Sequence, residues 1–157
     1  MTHYAHLESP VGTLLLTAAE DRLAGLYLPA EERAPDPSWA EGGAFLDEVQ
    51  RQLHAYFAGE REAFDMPVAP IGTAWQRRVW DELARVPYGQ TISYAELARR
   101  AENPSAIRAA GAANGRNPIS IVIPCHRVIG ADGTLTGYSG GLDAKRWLLA
   151  HEGVAAC

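Results

Sequence analysis

The amino-acid sequence predicts an α/β N-terminal unit, a small antiparallel sheet with a helix, followed by a mainly α C-terminal unit that contains a helix-turn-helix. Three observations predict this organisation. Residues 4–28 alternate strand-like runs with turn formers, residues 45–57 carry apolar side chains at helical spacing, and two short helical patterns lie together in residues 93–115. A proline-containing stretch marks the change of pattern, so we expect domains over residues 1–70 and 71–157.

The N-terminal unit is predicted to start with three strands. Turn formers at residues 9–12 and 19–22 separate strand-like runs at residues 4–8, 13–18 and 23–28. A charged, proline-containing loop follows them. Apolar side chains then recur at helical spacing and predict an amphipathic helix that covers one face of the sheet: Phe45, Leu46, Val49, Leu53 and Phe57.

The C-terminal unit is predicted to begin with three helices. An apolar stripe, which we interpret as core packing, predicts the first of them: Trp75, Val79, Trp80 and Leu83. Ser93 and Glu96 form a capping-box pattern that begins a second, short helix. Asn103 and Pro104 suit the N-cap and the first position of a third helix, which ends at Gly115. Two short helices joined by a tight turn resemble a helix-turn-helix.

The rest of the C-terminal unit is predicted to hold a buried strand, a loop and a last helix. Residues 119–123 are apolar and lie between two prolines, which predicts a short, extended, buried segment. Residues 130–141 are glycine-rich and predict a loop, whereas residues 142–149 predict a helix.

The second helix of the helix-turn-helix is unusual because nearly all its side chains are tiny. Small residues such as Ala109, Ala110 and Ala113 let a helix backbone approach another surface closely. That surface is either a neighbouring helix or a DNA groove, with Arg108 as the one long basic side chain. The residues alone leave both interpretations open.

Composition and charge narrow the class of protein. The net charge of −5 argues against a nucleic-acid partner, but residues 1–70 carry net −8 and residues 71–157 net +3, which permits phosphate binding by the second unit. No apolar stretch is long enough to cross a membrane, and no signal peptide is recognisable. Two cysteines, Cys125 and Cys157, make no disulfide framework, so we expect a reducing, cytoplasmic location.

The segment 121–128 carries the strongest chemical signal. Cys125 lies between an apolar run and His126, and a thiol becomes a good nucleophile when a nearby base removes its proton. The residues alone also permit an inert buried thiol, a packed imidazole or a zinc site, although zinc needs about four ligands and cysteine is scarce. They make Cys125 a candidate nucleophile and go no further.

Six segments of the C-terminal unit resemble, in order, the O6-alkylguanine-DNA alkyltransferases, also called methylated-DNA–protein-cysteine methyltransferases. The most specific is Pro124-Cys125-His126-Arg127-Val128, which resembles the family's active-site signature. The other five segments are residues 72–80, 87–94, 114–118, 138–142 and 151–153. The first of them has Trp75 where the family usually has phenylalanine. The resemblance implies a ribonuclease H-like N-terminal domain, which residues 1–70 fit loosely, and a winged-helix or helix-turn-helix C-terminal domain.

The resemblance implies direct repair of O6-alkylguanine in duplex DNA, with O4-alkylthymine as a further candidate substrate. Cys125 would take the alkyl group in one displacement and keep it, so that each molecule acts once. His126 would act through a water as the base, and Glu152 would orient it. Tyr94 would donate a proton or hydrogen bond to the departing guanine. Asn117 would brace the active-site turn against the helix-turn-helix.

The resemblance also implies how DNA is bound. The small-residue helix would enter the minor groove, and the target nucleotide would be flipped out while Arg108 fills the vacated stack. Close approach would come from Ala109, Ala110 and Ala113, and phosphate contacts from Arg99, Arg100 and Arg116. The backbones of Cys125, Val128 and Ser139 would read the flipped base, with Tyr138 as a wall of its pocket.

Two other functions remain open at this point. A lesion-binding protein would hold Cys125 as a packed residue, and a thiol hydrolase would use it with His126 and Glu152 for turnover. The joint presence of these three residues argues against a plain binder, and the small-residue helix with Arg108 argues against a hydrolase. Some family members carry a structural zinc, but no cysteine precedes Cys125 here, so we expect neither zinc nor another cofactor. We expect a monomer.

Overall fold

The computed structural model describes residues 1–154, so Cys157, whose reactivity the sequence leaves open, lies outside the described residues. The N-terminal part holds four strands and one long helix: β1 (Thr2–Ser9), β2 (Gly12–Ala19), β3 (Arg22–Tyr27), β4 (Ala40–Glu41) and α1 (Ala44–Phe57). The three predicted strands and the amphipathic helix are confirmed. The predicted loop after β3 contains one short 3₁₀ helix, Pro29–Glu31.

The sheet has the strand order β3-β2-β1-β4. Its first three strands are antiparallel, as predicted, but β4 pairs with β1 in parallel. The prediction of a purely antiparallel sheet is therefore wrong at this edge, because a two-residue strand is too short to show a periodic pattern. Glu20 and Asp21 both lie in the left-handed region at the β2–β3 turn, with φ of 53° and 56°, as two-residue hairpin turns require.

Helix α1 covers one face of this sheet. It buries Leu46, Val49, Leu53 and Tyr56, which join the leucines of the strands in the hydrophobic core. Burying such side chains stabilises a fold by about 1.5–3 kcal/mol each. The predicted helix-on-sheet packing is therefore confirmed.

The C-terminal part is mainly helical and contains one pair of two-residue strands. Its elements are α2 (Ala74–Leu83), β5 (Ile92–Ser93), α3 (Tyr94–Arg100), α4 (Ile107–Gly115), β6 (Val128–Ile129) and α5 (Leu142–His151). Strands β5 and β6 pair in parallel. The four predicted helices are confirmed, although α5 continues two residues further than the sequence pattern indicates.

Two details of the helix starts differ from the predictions. The hydroxyl of Ser93 accepts from the backbone N–H of Glu96 at 3.1 Å, as predicted, but the Glu96 carboxylate binds arginines of its own helix and does not complete a capping box. Asn103 is not an N-cap, because α4 begins only at Ile107. Asn103 and Pro104 belong to the turn, where the Asn103 side chain accepts from the hydroxyl of Ser105 at 3.1 Å.

The apolar segment 119–123 is buried but is not extended. Only Ile119 makes a strand-like bridge, to Leu26. The chain then turns, so that the N–H of Ile123 donates to the carbonyl of Ile119 at 3.0 Å and Ile121 adopts a left-handed φ of 72°. The prediction of a strand is wrong because an apolar run reports burial and not backbone shape.

The segment that leads to Cys125 lies against the edge of the N-terminal sheet. The N–H of Leu26 donates to Pro118 at 2.9 Å, and the N–H of Ser120 donates back to Leu26 at 3.2 Å. The N-terminal part therefore supports the chain immediately before the candidate nucleophile. Within residues 1–154, no helix is long and apolar enough to span a bilayer.

Candidate active site

Cys125 opens a single 3₁₀ turn that directly follows Pro124. Its side chain is a free thiol and is only 1% exposed. Burial raises the pKa of this thiol, and the polar side chains of Asn117 and Ser120 lower it only in part. The resting group is therefore a protonated thiol, which needs a base before it can act as a nucleophile.

Asn117 holds the turn that precedes Cys125. Its Nδ2 donates to the carbonyl of Ile123 at 2.7 Å, and its Oδ1 accepts from the N–H of Ile119 at 3.0 Å. The bracing predicted for Asn117 thus acts within the turn. The contact between the helix-turn-helix and the turn comes instead from Asn114 of α4, whose Nδ2 donates to the carbonyl of Cys125 at 3.4 Å.

His126 and Glu152 form a buried pair. Nε2 of His126 lies 2.8 Å from Oε2 of Glu152. Burial alone would raise the pKa of the Glu152 carboxyl, but the hydrogen bonds and charges of His126 and Arg127 hold it well below its usual range. An ionised carboxylate only accepts hydrogen bonds, so Nε2 carries the imidazole proton and Nδ1 is the basic atom.

The base is available near neutral pH. Burial lowers the pKa of His126, and the Glu152 carboxylate offsets this in part, so the imidazole is neutral at pH 7. Its Nδ1 is buried and has no hydrogen-bond partner among residues 1–154. The predicted pair of base and orienting carboxylate therefore lies together, with the basic atom unoccupied by protein.

Glu152 is held by two further side chains that sequence analysis did not assign. Arg127 donates from Nε to Oε1 at 2.8 Å and from Nη2 to Oε2 at 2.9 Å, and its Nη1 donates to the carbonyl of Val86 at 2.7 Å. Tyr56 of α1 donates to Oε2 at 2.6 Å. A bidentate arginine and a phenol fix the position and the ionised state of the carboxylate.

Lys145 is a second buried cation of the site. Its Nζ donates to the carbonyls of Val128 at 2.6 Å and Thr136 at 3.0 Å, which ties β6 to the loop before α5. Burial lowers the pKa of Lys145 to about 8. Its positive charge in turn favours the thiolate form of Cys125.

A cavity of about 500 Å³ lies between α3, α4 and the loop before α5. Its lining includes Tyr94, Arg108, Asn114, Tyr138 and Ser139, and Asn114 connects it to Cys125. Burial and then the charge of Cys125 raise the pKa of Tyr138 well above its ordinary value, so Tyr138 stays a neutral wall. The cavity is open to solvent and its surface is mostly apolar.

Val128 does not belong to this cavity. It is buried, and its carbonyl accepts the hydrogen bond from Lys145. The base-reading role of the Val128 backbone stays a prediction, because a backbone carbonyl has a second lone pair beside the one that Lys145 uses.

Helix α4 divides its small residues between two surfaces. Ala110 and Ala113 are only 0% and 2% exposed, and α2 packs against this helix through Trp75 and Trp80, whose indole N–H groups donate to carbonyls of α4. The prediction of DNA contact is wrong for these two alanines, to which the packing interpretation applies. Arg108 and Ala109 are exposed on the other surface.

The three arginines predicted to contact phosphates differ in their surroundings. Arg99 and Arg100 both bind the carboxylate of Glu96, at 2.6 Å and 2.7 Å. Arg116 follows α4 and is exposed. The one carboxylate of Glu96 offsets only one of the first two positive charges, whereas Arg116 lies beside the exposed surface of α4.

Comparison with known proteins identifies the family. The family model "6-O-methylguanine DNA methyltransferase, DNA binding domain" matches residues 74–154, and the model "6-O-methylguanine DNA methyltransferase, ribonuclease-like domain" matches residues 2–70. The chain belongs to the 6-O-methylguanine DNA methyltransferase family. The predicted family and the two-part fold, a small sheet domain followed by a helical DNA-binding domain, are thus confirmed.

Other methyltransferases of this family are similar along nearly their whole length. A methylated-DNA–protein-cysteine methyltransferase of Methanosarcina acetivorans is 50% identical over 153 residues, which cover 96% of this chain and 98% of that protein. One of Mycolicibacterium paratuberculosis is 47% identical, with 97% and 93% covered. The crystal structure of Mycobacterium tuberculosis OGT in complex with DNA superposes with a TM-score of 0.89 at 45% identity, covering 96% of this chain and 92% of that one.

Four residues of the methyltransferase site are not among those predicted from the sequence: Tyr56, Asn114, Arg127 and Lys145. Asn114 and Arg127 lie inside segments that resemble the family, which is the signal that could have found them. Tyr56 and Lys145 showed no such signal, because a tyrosine in an amphipathic helix and a lysine in a terminal helix are ordinary residues there.

Proposed function

We propose that this chain repairs alkylated duplex DNA by moving the alkyl group of O6-alkylguanine onto its own Cys125. The observation that carries the proposal is the buried thiol directly before His126, whose ring lies 2.8 Å from the Glu152 carboxylate. These groups supply a nucleophile, a base and an orienting carboxylate. The names of the relatives, methylated-DNA–protein-cysteine methyltransferases, support the same reaction.

The reaction begins with the proton of the thiol. Nδ1 of His126 is the basic atom, and a water carries the proton of Cys125 to it while Glu152 stabilises the imidazolium. The thiolate sulfur then displaces O6 of guanine from the alkyl carbon, so one C–S bond forms as one C–O bond breaks. The resulting thioether is stable to hydrolysis, and each molecule therefore reacts once.

The departing guanine needs a donor for its developing negative charge. The hydroxyl of Tyr94 accepts from Thr136 at 2.8 Å, which leaves its own proton for another acceptor. We assign this proton to the guanine. Tyr138 forms a wall of the base pocket, and the backbones of Ser139 and Cys125 read the edge of the base.

The exposed surface of α4 is assigned to the minor groove of DNA. The target atom lies inside the base stack, so the nucleotide must be rotated out before sulfur can reach it. Arg108 lines the cavity and is exposed, so it can fill the vacated position in the stack. Ala109 allows close approach, and Arg116 has the free charge to contact a phosphate.

The proposal also includes the domain organisation, the oligomeric state, a second substrate and the location in the cell. Residues 1–70 and 71–157 act as two domains of a monomer, and O4-alkylthymine is a further candidate substrate. The protein works in the cytoplasm, on the nucleoid if the source is bacterial, where a reducing milieu keeps Cys125 a thiol.

The test is the mass of the intact protein after incubation with a duplex that carries one O6-methylguanine. A gain of one methylene unit, mapped to the Cys125 peptide and saturating at one per protein, is the expected result. The matched control is Cys125→Ala, which should keep its fold and DNA binding but gain no mass. An unchanged mass with the lesion intact would leave a lesion binder, and an unchanged mass with the lesion gone would indicate a hydrolase.

A further inference from the structure

Tyr56 brings a group of the N-terminal part into the active site. It lies near the end of α1, is fully buried, and its hydroxyl donates to Oε2 of Glu152 at 2.6 Å. Burial and then the charge of Glu152 raise the pKa of Tyr56 far above its ordinary value, so the phenol keeps its proton and always acts as a donor. The contact therefore has a fixed direction.

Tyr56 shares its acceptor with the base. Oε2 of Glu152 receives the Tyr56 hydroxyl, Nε2 of His126 at 2.8 Å and Nη2 of Arg127 at 2.9 Å. Donors that share one oxygen compete for its electron density. The phenol thus weakens the hold of the carboxylate on the imidazole proton.

The backbone of Tyr56 is anchored at the same place. Its carbonyl lies 2.7 Å from Nε2 of His151, the residue before Glu152, and the two rings meet edge to face at 5.1 Å. Two hydrogen bonds and a ring contact thus join the end of α1 to the end of α5. A shift of α1 would move the carboxylate with it.

We propose that Tyr56 is a positioning residue for alkyl transfer, and that the N-terminal part thereby completes the active site. Tyr56 acts through Glu152 on His126 and touches no reacting atom. This inference rests on the proposed function and adds the N-terminal part to its machinery.

The sign of the effect follows from the shared oxygen. Without the phenol, Oε2 of Glu152 is a stronger acceptor, and the imidazolium of His126 is better stabilised. The Tyr56 hydroxyl donates to an ionised carboxylate, and the part of that interaction which reaches the imidazole through the shared oxygen should shift its pKa by about 0.5–1 unit. The midpoint of the acid limb of the transfer rate should therefore rise by that amount in Tyr56→Phe, and the rate on that limb should fall about three- to tenfold.

Other titratable groups surround this pair: Cys125, Arg127, Lys145, Tyr88 and His151. Burial and the charge of Glu152 raise the pKa of Tyr88. The pKa of Lys145 is about 8, above the acid limb, and burial raises the pKa of Cys125 further still. His151 contacts the carbonyl of Tyr56, which the variant keeps, so a difference between the proteins reports the hydroxyl.

The experiment measures single-turnover transfer from an O6-methylguanine duplex by the full chain between pH 5 and pH 9. Tyr88→Phe is the matched control, because this ring lies 6.2 Å from that of Tyr56 and its hydroxyl donates to a backbone carbonyl. We expect a raised midpoint in Tyr56→Phe and an unchanged one in Tyr88→Phe. The assigned ¹³C or ¹⁵N signals of His126 should report the same rise in its pKa without any substrate.

A folded Tyr56→Phe protein with the wild-type midpoint and the wild-type His126 titration would overturn the inference, even if its stability were lower. If Tyr56→Phe failed to fold, 3-fluorotyrosine placed at position 56 would decide. Its hydroxyl is a stronger donor, so the midpoint should fall, and an unmoved midpoint would count against the role. If the wild-type chain itself transferred no alkyl group, the proposed function would fail. The titration of His126 needs no substrate, so it would still show whether Tyr56 acts on the imidazole, and the two failures are distinguishable.

Discussion

The imidazole of His126 lies 2.8 Å from the carboxylate of Glu152, and both side chains are fully buried. Burial keeps the imidazole neutral and therefore basic, while the carboxylate fixes which nitrogen carries the proton. The site thus pairs a thiol that is protonated at rest with a base that is free at neutral pH. That combination favours activation on substrate binding over a permanently reactive thiolate.

Glu152→Gln should slow alkyl transfer by about 100-fold, because the neutral amide neither fixes the tautomer of His126 nor stabilises its imidazolium. It should also lower the free energy of unfolding by about 3–5 kcal/mol, because Arg127 then keeps a buried charge without a carboxylate. Single-turnover kinetics and urea unfolding measure the two effects. Glu82→Gln, which breaks the exposed pair with Arg85, is the control and should change neither appreciably.

Stability should fall as the pH falls, in two stages. The folded-state pKa of His126 is below its ordinary 6.5, so the unfolded chain binds more protons there and stability declines below about pH 6.5. The folded-state pKa of Glu152 is below its ordinary 4.5, so the stability it contributes above that value is lost as the pH falls further. Urea unfolding at pH 7, 5.5 and 4 measures this decline. A free energy of unfolding that stayed level from pH 7 to pH 4 would contradict both assignments.

Arg108→Ala should separate reaction with duplex DNA from reaction with a free base. Without the long side chain nothing fills the vacated stack, and flipping costs a few kcal/mol, so transfer from the duplex should slow about 10- to 100-fold. Reaction with free O6-benzylguanine, which needs no flipping, should change little. Arg85→Ala removes another exposed arginine and is the control. Equal losses on both substrates would show that Arg108 does not act in the stack.

Local patterns predicted most of the fold. The three strands and α1 follow from alternation and helical spacing, which depend only on neighbours in the chain. The predicted start of α4 is wrong because Asn103 and Pro104, which match a helix-start pattern, form the turn that precedes the helix. The prediction of a strand at residues 119–123 is wrong because burial alone does not set backbone shape.

The candidate site was predicted only in part, for a physical reason. Cys125 and His126 are adjacent, so the chain itself displays them, and the resemblance added Glu152. The contact of Tyr56 with Glu152 joins two distant segments and arises only when α1 packs on the end of α5. Arg127 and Lys145 are charged residues of a kind usually exposed, and only the tertiary structure shows that both are buried.

Asn117→Ala tests how much the turn before Cys125 depends on one side chain. The amide makes two good hydrogen bonds across a turn in which Ile121 is held at a left-handed φ of 72°, a conformation that β-branched residues disfavour. Its loss leaves the buried N–H of Ile119 unpaired, whereas the carbonyl of Ile123 still accepts from the N–H of Cys125 at 2.8 Å. The free energy of unfolding should therefore drop by about 1–3 kcal/mol. Urea unfolding measures this drop, and Asn103→Ala, an exposed asparagine in a turn, is the control. Because Cys125 follows the same turn, the folded variant should also transfer the alkyl group more slowly. An unchanged rate of alkyl transfer would mean that Pro124 and the sheet edge hold the thiol without Asn117.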